Sequence, residues 1–167
     1  MFGFLKSKGE LAPPPELLRL LKARLWPASH EQACEQNCVT RIANEDVHRL
    51  VPSENEIFLY PAPWQTLARD HEASRKQLSG TDFFAAYDKT LEQIDPLLAL
   101  FIADFGHGSD APIALDYRSN SFDPAVIGLK WKEPWRPNDG NRWIELSPSF
   151  SSFVETLKLW HLPKFVR

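Results

Sequence analysis

The sequence predicts an α+β fold: one domain whose mostly antiparallel sheet of about four to six strands is flanked by helices, with a closing C-terminal helix. Three observations predict it. The first half punctuates helical apolar spacing with Pro and Gly, the last third carries strand-like segments joined by Asn- and Asp-containing turns, and no regular βαβ alternation or internal repeat occurs. Composition permits it, because 167 residues at 43% hydrophobic and 25% charged fall in the ordinary globular range. A chain of that length buries roughly 70% of its unfolded surface, enough for a core without staples.

Pro13, Pro14 and Pro15 end a flexible leader, residues 1–13, and open a domain expected over 14–163. Leu17, Leu20, Leu21 and Leu25 then form a helical stripe that Pro27 stops, and Ser29 caps a second helix reaching Cys38. The polar stretch 44–49 gives no clear element. Residues 56–60 read as a strand from their aromatic and β-branched content, closed by Pro61 and Pro63. Trp64, Leu67, Ala68 and His71 keep helical spacing as far as Gly80, and Thr81 caps a helix carrying Phe84, Tyr87, Leu91 and Ile94. Asp95-Pro96 is a helix-start signal, and 97–105, apolar almost all round, is expected to be a buried helix ended by Gly106.

Residues 112–117, 125–131 and 142–146 read as strands, with a strong turn at 138–141. Ser147-Pro148 then starts a helix in which Phe150, Phe153, Val154 and Leu157 follow the core spacing. Lys158 is expected near its negative end, and Pro163 limits it.

Charge and targeting narrow the function. A net charge of -3 and a pI near 5.9 argue against a phosphate-tracking surface and so against direct nucleic-acid binding; they suit a basic partner. No apolar run approaches the ~20 residues that span a bilayer, and the first ten residues lack a signal-peptide core. The expectation is a cytoplasmic protein without a membrane partner. Cys34 and Cys38, with His30, make a row at spacings of four on a helix, but no fourth ligand of matching spacing accompanies them. They read as reduced thiols, and no cofactor is expected.

Chemistry concentrates at 102–131. Asp104, His107, Asp110 and Asp116 surround a glycine turn and offer a donor set for a metal-dependent hydrolase. The same residues are what a turn needs: Gly106 and Gly108 as structural turn glycines at positive φ, Ser109 and Asp110 as backbone acceptors. Asp104-Phe105-Gly106 mimics the kinase magnesium triplet without a kinase catalytic or phosphate loop, and Ser109 lacks the following glycine of a nucleophile elbow. Trp131, Trp135 and Trp143 cluster with Lys130, Lys132 and Arg136. Trp131 and Trp143 read as cross-strand partners, Trp135 as an interface anchor between Pro134 and Pro137.

In order, residues 57–60, 106–110, 113–118, 126–131 and 143–153 resemble the core pieces of the SUKH superfamily, which includes the Smi/Knr-type cell-wall assembly regulator, the Syd protein and many bacterial immunity proteins. The N-terminal "LP" helix and glycine of that pattern are not evident in 28–53. The resemblance implies a non-enzymatic binding module whose partner is a toxin domain, such as a nuclease; a regulatory scaffold of the cell-wall type is the alternative it leaves open. On that reading Asp110, Asp123 and Asp139 speed encounter with a basic partner, and Tyr117 and Trp135 anchor it.

Overall fold

The structure is a computed structural model that describes residues 11–78, 82–106, 110–132 and 140–166. Its sheet is a five-stranded antiparallel meander in the order β1 (Phe58–Leu59), β2 (Ala99–Asp104), β3 (Pro112–Asp116), β4 (Ala125–Lys130) and β5 (Arg142–Ser147). Around it lie α1 (Pro15–Lys22), α2 (His30–Glu35), α3 (Asn44–Leu50), α4 (Leu67–Leu78), α5 (Asp82–Leu91) and α6 (Phe150–Thr156), the last followed by a 3-10 turn at Leu159–His161. The chain is a single α+β domain, its sheet flanked by helices and closed by α6. Among the described residues no helix is long and apolar enough to cross a membrane.

Burial explains the strand sequences. β3 is the middle strand and is buried along its whole length, so both of its faces must be apolar. Ile113 and Leu115 join Leu100, Ile102 and Val126 on one face, under Leu17 and Leu20 of α1, Val47 of α3 and Phe150, Phe153 and Val154 of α6. Ala114 joins Ala99 and Ile127 on the other, where Leu67 of α4 packs with Ile94, Phe101 and Trp143. The first face is closed tightly. A Cβ on Gly128 would stand 2.9 Å from both Phe105 and Leu146.

The segment 97–105 corrects the expected buried helix: it is β2, paired to β1 on one side and β3 on the other. A strand covered on both faces is apolar all round, as a buried helix is, so composition does not separate them. Asp95 does cap, but it caps a turn, its Oδ1 accepting from Leu97 N at 3.1 Å. Gly106 sits at φ +89 as the turn reading requires, although it follows a strand.

Other boundaries shift for local reasons. Arg24 at φ 62 stands in the left-handed region just past α1, ahead of Pro27. α2 stops at Glu35, so exposed Cys38 lies beyond it and the row of His30, Cys34 and Cys38 does not share one helix face. The unassigned stretch 44–49 is α3, whose buried side carries Asp46 and Val47. Ser149, not Ser147, caps α6, accepting from Ser152 N at 3.1 Å. Lys158 leaves the helix at φ 53 and reaches Asp46 Oδ1 at 2.8 Å; it ties α6 to α3 instead of sitting over a helix end.

Candidate functional site

The second face of the sheet is not filled as the first is. The chain leaving β1 runs along the outer edge of β2, with Tyr60 N donating to Ile102 O at 2.9 Å and Phe101 N donating to Gln65 O at 2.8 Å. That anchorage starts α4 beside β2 and leaves the aromatic side of α5 facing the same strand end. A cleft of about 330 Å³ remains between them. Its walls are Tyr60, Phe101 and Pro112 from the sheet side and Phe83, Phe84 and Tyr87 from α5; Asp70, His71 and Ser74 of α4, with Asp104 and Asp110, complete the lining.

The aromatic walls are ordered by ring contacts. Tyr60 and Phe101 lie 4.9 Å apart between centroids, and Phe83 stacks on Tyr87 at 6.0 Å with planes 7° apart. Trp131 supports the α5 wall from outside the cleft lining: its ring is 5.5 Å from Phe83 and 6.4 Å from Tyr87, and its Nε1 donates to Asp110 O at 2.7 Å. His71 packs 5.2 Å from Tyr87 while its Nε2 faces Asp88.

Acidic groups dominate the electrostatics of the cleft, with His71 among them. Three carboxylates line it, and none of its described lining residues is Lys or Arg. Asp104 is 4% exposed, and its Oδ1 accepts from Ala111 N at 3.1 Å. Burial pushes the Asp70 carboxyl above the usual carboxylate range, with the charge of His71 acting in the opposite direction, and burial likewise raises Asp110. Tyr60 and Tyr87 are raised well above an ordinary phenol, first by burial and then by the charges of Asp104, Asp70 and Asp110. Both phenols therefore stay protonated, and both rings feel the same three acids.

The residues singled out in the sequence fall in different places. Asp110 is exposed at the cleft, at φ 54, with its carboxylate among the lining groups. Tyr117 is buried and its hydroxyl donates to Ala12 O at 2.8 Å, so it holds the N-terminal segment to the sheet. Asp123 is half-buried and accepts from Ser151 N at 2.9 Å in the first turn of α6, a helix-terminus contact. Trp131 and Trp143 are not cross-strand partners: Trp143 pairs with Leu129 and packs against Ile94 and Ile127, while Trp131 has left the strand for α5. His107, Gly108, Trp135 and Asp139 lie outside the described residues.

Of the described members of the hydrolase set, Asp104 and Asp110 border one cleft and Asp116 lies away from them. Asp104 pairs with Pro112 in the ladder, whereas Asp116 pairs with Ala99 and Ala125 at the other end of the same strands. Four residues of strand separate those ends by roughly 13 Å. Asp116 is instead held by Arg118, whose Nε and Nη2 donate to its carboxylate at 2.7–3.0 Å. Among the described residues no group of three His, Cys, Asp or Glu is placed to hold a metal ion.

What the sequence did not single out is the aromatic half of the cleft. Phe84 and Tyr87 read only as a core stripe, yet Phe83, one position from Phe84, has to face a different direction on a helix. That adjacent pair is the signal that α5 has two aromatic sides. An organic cation is the chemical complement of aromatic faces ringed by carboxylates, because the ring quadrupole and the carboxylate charge attract the same group. Protein-family models, curated proteins and solved structures were compared with the chain, and none matches.

Proposed function

We propose that this chain is a non-enzymatic protein-binding module of the SUKH type, an immunity protein that binds a toxin domain and neutralises it stoichiometrically. The observation that carries the reading is the acidic aromatic cleft with Asp110 exposed beside it. Aromatic groups bury large rigid areas with a polar handle and dominate binding hot spots, and same-sign charge around them steers a partner of opposite sign. The overall charge of -3 acts in the same direction. Inhibition by occlusion requires no catalytic group.

The test is a tagged pull-down of the full chain from its native host at moderate salt, followed by mass spectrometry and an activity assay of whatever elutes at one-to-one ratio. A basic toxin domain whose activity is abolished by an equimolar amount of the chain is the expected result. A captured wall-synthesis factor would replace this reading with the regulatory scaffold. A captured toxin that stays fully active would overturn neutralisation.

A further inference from the structure

The cleft is specific enough to name what enters it, given the protein-binding reading above. It opens beside an exposed Asp110, its carboxylates come from α4, from the end of β2 and from the connection to β3, and its walls are aromatic on two sides. Its volume of about 330 Å³ stands at the small end of ligand pockets, suited to one side chain and too small for a folded element. Asp70 and Asp110 stand beside aromatic rings, in a partly desolvated place where a cation gains more from a carboxylate than it would in water.

Among biological cations the lining favours guanidinium over ammonium. Guanidinium is planar and weakly hydrated, stacks on aromatic faces, and carries five N–H donors; ammonium is compact, strongly hydrated and carries three. The cleft offers acceptors at Asp70, Asp110 and the Ser74 hydroxyl, distributed around rings and not gathered at one point. We infer that the cleft is the receptor for a single arginine side chain of the protein partner, stacked on the aromatic walls and hydrogen-bonded to Asp70 and Asp110.

The probe is Nα-acetyl-arginine amide, titrated into the full chain and followed by amide chemical shifts. Saturable shifts at Tyr60, Phe101 and Asp110 with a Kd of order 1 mM are expected for a ligand of that size. The neutral citrulline analogue should leave those amides unmoved, and the lysine analogue should bind more weakly. Asp70→Asn and Asp110→Asn should each weaken the probe about fivefold. Asn tolerates the left-handed conformation at 110, so that variant keeps the turn.

No saturable shift at concentrations well above that Kd would overturn the inference, as would equal shifts from citrulline or tighter binding of the lysine analogue. The pull-down separates this result from the parent reading. A pocket that takes the arginine probe while no protein is captured supports the pocket and sinks the protein-binding reading. A captured partner that binds the doubly substituted chain as tightly as the unaltered one overturns the arginine assignment and leaves protein binding intact.

Discussion

The two faces of the sheet are built from the same residue classes and do opposite things. On the face under α1, α3 and α6, Phe150, Phe153, Leu17, Leu20 and Trp26 are fully buried, and the packing is so close that a methyl group on Gly128 does not fit. On the face under α4 and α5, Tyr60, Phe83 and Phe101 are only partly buried, and a cleft ringed by carboxylates remains. Aromatic residues on the first face are surrounded by side chains; on the second, Tyr60, Phe83 and Phe101 border an open cleft. The proposed binding site therefore lies opposite the closely packed face, a division that substitutions can break or sharpen.

The largest effect is expected from Phe153→Ala, which empties a fully buried site and should cost about 3–5 kcal/mol. For a chain of this size that lowers Tm by roughly 10–15 °C, measurable by thermal circular dichroism, while the folded fraction binds the arginine probe unchanged. Gly128→Ala should cost about 1–3 kcal/mol by overpacking against Phe105 and Leu146. If either variant altered cation binding at temperatures where it is folded, the two faces would not be separable. On the other face, Phe101→Leu keeps most of the volume and removes a π-face. It should weaken the arginine probe about two- to fivefold at a stability cost under about 1.5 kcal/mol.

The acids divide in the same way. Asp123→Ala removes the carboxylate that accepts from Ser151 N at the start of α6 and should cost about 1 kcal/mol. It should leave the association rate with a basic partner close to unaltered. Asp110→Lys should slow association at low salt, because its side chain borders the cleft, at a stability cost of up to about 1 kcal/mol for a lysine held in the left-handed region. Stopped-flow association and thermal melts on the two variants check both halves. Equal on-rates for the unaltered chain and Asp110→Lys would remove Asp110 from steering.

How much of this division is legible in the sequence depends on how local its signals are. β3, β4, β5 and α6 are legible because the turn residues that bound the strands and the serines that open the helix act within a few positions. β2 is not, because it is apolar all round and Asp95-Pro96 ahead of it carries a helix-start signal. α3 escaped because its exposed side is polar and its buried side carries Asp46, whose partners are Arg49 one turn on and Lys158, distant in sequence. The cleft is the least legible feature: Tyr60, Asp70, Phe83, Phe101 and Asp110 come from five segments, and only the meander brings them together. Asp110, singled out from its place in a glycine turn, borders the cleft. Asp116 and Asp123 looked equivalent to it, and only their partners, Arg118 and Ser151 N, show that they serve the fold.

The smallest expected effect is the pH dependence of stability, and it tests whether those acids belong to two populations. Burial alone would raise the Asp116 carboxyl, but the hydrogen bonds and charge of Arg118 outweigh it and hold that group below the usual range. A carboxyl lowered on folding contributes stability that is present above its unfolded pKa of about 3.9 and is lost as pH falls through the folded value. The exposed Arg118 keeps this contribution within about 1 kcal/mol. Asp70 and Asp110 are raised on folding, so the native state takes up their protons first. Their ionisation opposes folding at neutral pH, and that opposition is relieved as pH falls through the raised values. In urea titrations from pH 7 to pH 3, Asp116→Asn should be less stable than the unaltered chain at neutral pH. That deficit should vanish in the acid limb. Asp70→Asn and Asp110→Asn should be at least as stable at neutral pH, with any advantage gone by the acid limb. If all three variants followed one sign, the cleft acids would be paired structural acids like Asp116, and no cation from outside would be required to balance them.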